Sequence, residues 1–270
     1  MNPTLYHWLK GVHKIIVNPK ERKFLRLSLR YGNYDRNKPV EISFLRFKFL
    51  LPDALSFIWQ FKEIFVEEYY RFETDSKAPI IFDCGANVGT SCAFFKYHFP
   101  QSRILTFEPN LKIVEYLKRN IKNNSLENIE VIEKAVWINN NGLELGMEDA
   151  DASSIYLDKN KTKVESIRLK DYLEKEEVVD MLKMDIEGAE VEVLKDCRES
   201  LTNVKNIFVE YHSYSSNSQK LSEIIRVLES SGFRYFVMQP ENRSQPFINK
   251  LNKFNPTMDL QLNIFAYRVK

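Results

Sequence analysis

Apolar positions in the first third of the chain change their period more than once. Leu5, Trp8, Leu9, Val12 and Ile16 recur at helical spacing within residues 1–17, with His7, Lys10 and Lys14 between them, and this predicts an amphipathic helix. KFLRLSLRY and EISFLRFKFLL then alternate, with Gly32–Asn33 and Lys38–Pro39 between them, which predicts strand, turn, strand. Asp53 can cap a following helix to about Tyr70, along which lie Leu55, Ile58, Trp59, Lys62, Ile64 and Phe65.

From residue 79 the pattern becomes regular. PIIFDCG, RILTFE, IEVIEKAVWI, DMLKMD and NIFVEYH are short apolar runs that predict buried strands. Helical patterns separate them over about 89–98, 110–124, 169–176 and 188–198, and one more follows over 218–230. Residues 139–166 are polar and turn-rich, which predicts a hairpin insertion. FRYFVM and LNIFAYRV close the chain with no helix between them, so the last strand is expected to run antiparallel. Repeated βα units imply an α/β fold: a doubly wound, mostly parallel sheet with right-handed crossovers and helices on both faces. The expected division is an N-terminal helix, hairpin and helix extension over 1–78 and the α/β domain over 79–270.

Composition narrows the function classes. A chain of 270 residues with 44% apolar, 28% charged and 13% aromatic residues has the material for a large core. A net charge of +2 gives no general attraction for nucleic acid. The charge is uneven, because Lys20, Arg22, Lys23, Arg26, Arg30, Arg36, Lys38, Arg46 and Lys48 crowd the first fifth. With the apolar stripe of 1–17, this leaves three roles open for the N-terminus: packing on the domain, peripheral contact with a membrane surface, or a homo-oligomer interface. Cys84, Cys92 and Cys197 form no metal or redox spacing and are expected to be buried thiols. No membrane span or secretory signal is visible, so a cytoplasmic location is expected.

The chemistry-bearing signal is Asp83-Cys84-Gly85-Ala86-Asn87-Val88-Gly89-Thr90, which leaves a strand and enters a helix. Ligands of such sheets sit beyond the carboxyl ends of the strands. Gly85 allows the tight turn and Gly89 close packing of the helix. Asn87 and Thr90 stand where the dinucleotide fingerprint requires its second and third glycines. A pyrophosphate needs that close approach, whereas a sulfonium amino acid does not. Glu108, in TFEPN, ends the next strand, where a carboxylate accepts the hydrogen bonds of a ribose diol.

FDCGANVGT, TFEPN, KMDIEGAEVEVLK and FVEYH together resemble the FkbM family of class I methyltransferases, over about residues 79–212. The resemblance implies a Rossmann-like, seven-stranded sheet and a methyltransferase that uses S-adenosylmethionine. Its methyl acceptors would be hydroxyls on sugars, polyketides and other small or glycosylated products. Carried onto this chain, Asp83, Gly85, Ala86, Asn87, Gly89 and Thr90 would shape the methionine pocket. Glu108 would hold the ribose and Pro109 would lie near adenine, with Lys134 and Ala135 edging the ring.

Methyl transfer to a hydroxyl requires in-line alignment and removal of a proton. Asp185 and Glu187 follow one strand, and Glu210 and His212 end the next, so all four are expected around one mouth of the sheet. His212 is one candidate general base, oriented by a carboxylate, and a loop histidine is the plain alternative. Asp185, Glu210 and His212 are also candidate ligands for magnesium or manganese. Glu187, Ser153 and Ser154 are candidate acceptor contacts, although Glu187 and Glu190 can equally serve a helix dipole. The acceptor is expected to be a small molecule or a glycan- or lipid-linked compound. A nicotinamide-dependent oxidoreductase and a non-catalytic module binding an adenosyl ligand are the competing readings. A nucleic-acid methyltransferase is disfavoured by Asp-Ile-Glu-Gly after the fourth strand.

Overall fold

The computed structural model describes residues 16–36, 38–147, 153–154, 161–240, 243–253, 255 and 257–269. Most of the helix expected over 1–17 therefore lies outside the described residues. KFLRLSLRY, expected as a strand, belongs instead to helix α1 (Pro19–Tyr31). The start signal decides the matter: Asn18 accepts from Lys20 N–H, and proline occupies the first turn. Phe24, Leu27 and Tyr31, three and four residues apart, then present one apolar face.

EISFLRFKFLL, expected as one strand, folds on itself as β1 (Val40–Phe44) and β2 (Phe47–Leu51). Leu45 takes a positive φ of 46° at the turn, and Phe44 pairs with Phe47. Asp53 caps α2 (Ala54–Gln60) by accepting from Leu55 N–H at 2.8 Å, as expected. That helix widens into a π-helical segment, Phe61–Val66.

The α/β part follows the expected alternation. β3 (Ile80–Cys84) leads to α3 (Thr90–His98), and β4 (Arg103–Phe107) to α4 (Leu111–Asn123). The third expected strand breaks into β5 (Ile129–Ile132) and β6 (Ala135–Trp137). The insertion holds β7 (Leu143–Met147), β8 (Ser153–Ser154) and β9 (Lys161–Val164), a small antiparallel sheet rather than a single hairpin. β10 (Ser166–Arg168) pairs with β6 and leads into α5 (Leu169–Leu173). β11 (Val179–Met184), α6 (Glu190–Asp196), β12 (Val204–Tyr214), α7 (Leu221–Ser230), β13 (Arg234–Met238) and β14 (Met258–Tyr267) complete the chain.

The main sheet has seven strands in the order β13-β14-β12-β11-β3-β4-β5. All pairs are parallel except those of β14, which runs antiparallel between β12 and β13. The strand order reverses between β3 and β11, which puts the ligand crevice at their carboxyl ends. Alternation along the strands feeds two cores. Phe82, Leu105, Leu182 and Val209 face one, while Ile81, Ile104, Met181 and Phe208 face the other together with Phe44, Phe57 and Phe65. The N-terminal elements are thus the cover of one sheet face. Their centre is Phe44, whose ring lies 4.9 Å from Phe57 and 5.4 Å from Phe65. Among the described residues no helix is long and apolar enough to cross a membrane.

Candidate active site

The crevice at the switch point is a cleft of about 870 Å³. Its floor is the turn after β3, with Gly85 at φ 89°, Asn87 at φ 48° and Gly89 at φ 91°. Glycine is required at 85 for two reasons. An L side chain is strained at that φ, and a Cβ there would meet the Asp185 carbonyl oxygen at 1.8 Å. The closeness follows from register, because Asp185 N–H donates to Cys84 O at 3.1 Å across the end of β11. Gly85, Ala86, Asn87 and Thr90 line the cleft, as the sequence implies. Asp83 lies beneath it, accepting from Ser91 Oγ at 2.5 Å, and Gly89 packs against Leu117.

Glu108 sits in the wall and is 8% exposed. Its carboxylate accepts from Asn87 N–H and Asn110 N–H, each at 3.0 Å. Burial pushes its pKa up to about 7, against the opposing pull of those two N–H groups. Pro109, Ala135, Val136, Leu143 and Leu145 continue the wall as an apolar slot. Lys134 is not in that lining; its ammonium pairs with Glu165 at 2.9 Å. Ser153 and Ser154 form β8 beside Gly146 and Met147.

The other end of the cleft is acidic. Asp185, Glu187, Glu210 and His212 all line it. His212 Nδ1 lies 3.1 Å from Glu190 Oε1, while Nε2 stands 3.8 Å from Glu187 and 3.9 Å from Glu210. Burial opposes a charge on His212, but Glu187 and Glu190 outweigh it and raise the pKa well above the ordinary value. Glu210 accepts from the Gln261 amide; burial, then Asp185, pushes it up to about 8. Tyr211 points away from the cleft, as strand alternation predicts, and its hydroxyl accepts from Lys220 N–H.

Several residues in and beside the cleft take roles that the sequence does not show. Lys183, buried in β11, donates to Gly85 O at 2.5 Å and stands 3.5 Å from Asp83 and 3.4 Å from Asp185. Burial disfavours its charge, yet Asp185 and Asp83 together raise its pKa. Glu190 is the carboxylate that orients His212, and it also accepts from Ile186 and Gly188 N–H groups. Glu63 reaches the cleft from the π-helical segment, where burial and then Asp185 push it up to about 7. Trp59 and Gln60 extend that wall, and Gln60 accepts from the Thr90 hydroxyl at 2.8 Å.

These features fit an adenosyl amino acid. A buried carboxylate stands beside an apolar slot, and a polar turn without a phosphate-binding glycine at 87 stands beside both. The family of the methyltransferase FkbM domain matches residues 83–235. The chain belongs to this family. The FkbM family is one of S-adenosylmethionine-dependent methyltransferases, so the chain is a methyltransferase, and the nicotinamide and non-catalytic readings fall away. Among its relatives, Methyltransferase sdnD of Sordaria araneosa is 29% identical over 213 residues, covering 64% of this chain and 80% of that protein. The 2-O-methyltransferase NoeI of Sinorhizobium fredii (strain NBRC 101917 / NGR234) is 26% identical over 155 residues, covering 49% and 63%. The crystal structure of the methyltransferase FkbM from Methylobacillus flagellatus KT has a TM-score of 0.49 and 15% identity, covering 95% of this chain and 60% of that one.

Proposed function

We propose that this FkbM-family methyltransferase acts on a hydroxyl of a sugar, glycoconjugate or small natural product. The observation that carries the reading is the cluster of Asp185, Glu187, Glu210 and His212 at the acceptor end of the cleft. A neutral amine attacks a methyl sulfonium without help, but an alcohol holds its proton too tightly and needs a group to receive it. A cluster of carboxylates with one histidine supplies that group. S-adenosylmethionine, when bound, would supply an electrophilic methyl group and leave as the neutral thioether S-adenosylhomocysteine. The chain's residues do the rest. Glu108 and the apolar slot hold the adenosine, Lys183 fixes the two strand ends, and Glu190 sets the His212 ring. The relative NoeI, named a 2-O-methyltransferase, supports the same acceptor chemistry.

The test is product analysis. Isotopically labelled S-adenosylmethionine is offered with hydroxylated sugars and glycosylated small molecules, and the labelled carbon is assigned by NMR. A methyl ether is expected. A methylamine or methyl ester as the main product overturns the hydroxyl reading and leaves the family membership intact.

A further inference from the structure

Helix α1 (Pro19–Tyr31) turns one face inward and leaves the other in solvent. Phe24, Leu27 and Tyr31 pack into the cluster that covers the sheet. The one acidic residue of the helix, Glu21, is buried on that inner side, where its carboxylate accepts from Lys62 Nζ at 3.2 Å. Steps of three and four residues gather the rest on the outward arc: Arg22, Leu25, Arg26, Leu29 and Arg30, with Lys23 at its edge. That arc holds four cations and no carboxylate.

Two properties separate this arc from an ordinary solvated face. Among the described residues no carboxylate forms an ion pair with Lys23, Arg26 or Arg30. The crowding is felt: burial lowers the pKa of Lys23, and the Arg26 and Arg30 charges lower it further. The second property is aliphatic. Leu29 is 80% exposed, and Leu25 is exposed beside it. Ile16 and Val17, just ahead of the helix, are exposed as well. Arg22 ties them to α1 by donating to the Ile16 carbonyl. Four aliphatic side chains thus lie outside the core in one short stretch, interleaved with uncompensated positive charge.

The phosphates of a nucleic acid would answer the cations and leave the leucines in water. A lipid–water interface answers both. Anionic headgroups meet the cations, leucine side chains enter the acyl boundary, and arginine stems lie along it. We infer that the outward face of α1 docks on an anionic lipid surface, with Leu25 and Leu29 inserted and Lys23, Arg26 and Arg30 meeting the headgroups. This face borders the cleft. Trp59, whose ring lies 6.3 Å from that of Phe24, lines the cleft, and so does Arg36 just after the helix. Docking therefore brings a wall of the cleft next to the lipid.

Docking does not depend on what is methylated, so it is measured without any acceptor. The full chain is co-sedimented with vesicles of phosphatidylcholine alone and of phosphatidylcholine mixed with phosphatidylglycerol. Association with the anionic vesicles alone is expected, and it should weaken by about tenfold or more between about 0.05 and 0.5 M salt. Arg26→Gln with Arg30→Gln should lower the partition coefficient by about 25-fold, at about fivefold per charge. Leu29→Ser should lower it by about three- to tenfold. All three side chains are exposed, and calorimetric binding of S-adenosylhomocysteine checks that the variants stay folded. No association of the unaltered chain with anionic vesicles overturns the docking face. So does association unmoved by any of these substitutions, which would belong to another part of the chain. Loss with the arginines but not with Leu29→Ser would replace lipid insertion by plain anion binding. Equal association with phosphatidylcholine alone would sink the role of charge.

Discussion

Glu108 meets two backbone N–H groups with its two oxygens, and each oxygen keeps a further lone pair for a ribose hydroxyl. Only the ionised form accepts from the diol at both oxygens. Because burial raises its pKa to about 7, protonation competes with the cofactor near neutrality. Affinity for S-adenosylhomocysteine should be fully developed above that value. It should fall by up to about tenfold per pH unit below it, while Glu108→Gln flattens the profile. Glu108→Ala should cost about 1–3 kcal/mol of binding. Calorimetry between about pH 8 and pH 6 decides it, and a flat profile for the unaltered protein removes Glu108 from the ribose. Trp59 lines the cleft although it is 56% exposed, and it is expected to serve the acceptor. Trp59→Ala should raise the acceptor KM by about two- to tenfold and leave S-adenosylhomocysteine affinity unmoved. A matching loss of cofactor affinity would place the indole on the donor side.

The difference between these residues is also the difference in what the sequence reveals. Glu108 is legible because a fixed separation ties it to the glycine turn, and His212 because it lies near the end of a strand that a motif precedes. Lys183 is not, since its role arises only once β3 supplies Asp83 and the Gly85 carbonyl from a neighbouring strand. Glu63 sits among other glutamates in FKEIFVEE, and nothing local says that a widened helical turn aims it inward.

Elements show the same boundary between local and distant causes. The βα repeats are legible because strand and helix periods are local. α1 defeats the alternation of its residues because the Asn18 cap and the contact with the π-helical segment outweigh pattern. The β1–β2 turn lacks glycine or asparagine, so EISFLRFKFLL gives no turn signal. Its outer edge is closed by α4. Asn120 accepts from Leu50 N–H at 2.8 Å and donates to Leu50 O and Val88 O, each at 3.0 Å. Asn124, one turn on, brackets Lys48 N–H and O in the same way. The two amides act as a substitute strand, matching the two-residue step of the edge. Asn120 is buried, so Asn120→Ala strands the Val88 carbonyl and the Leu50 groups. Urea unfolding should show a loss of about 1–3 kcal/mol, larger than for Asn124→Ala at its more exposed place. Equal losses would mean that burial of the amide is not what matters.

At the scale of the whole molecule, the N-terminal elements and the sheet share one apolar cluster. A fragment of 79–270 would uncover Ile81, Phe94, Phe95, Met181 and Phe208 together. Such a fragment is expected to aggregate or to melt without a cooperative transition. Size-exclusion chromatography and thermal melting check this, and a monomer that melts sharply would show that the cover is dispensable. The cleft divides along a different line. Residues that match the family, 83–235, form the floor, the ribose wall and the strand-end cluster. The remaining walls come from outside that span: Ser56, Trp59 and Glu63 on one side, Pro240, Asn252 and Met258 on the other. The cleft is therefore assembled both from the stretch that matches the family and from the stretches that flank it. The strand-end cluster that faces the acceptor lies within 83–235, whereas part of the wall around it does not, so the flanks are expected to bear on which acceptor fits. Exchanging the flanking walls between relatives is where a change of substrate should be sought.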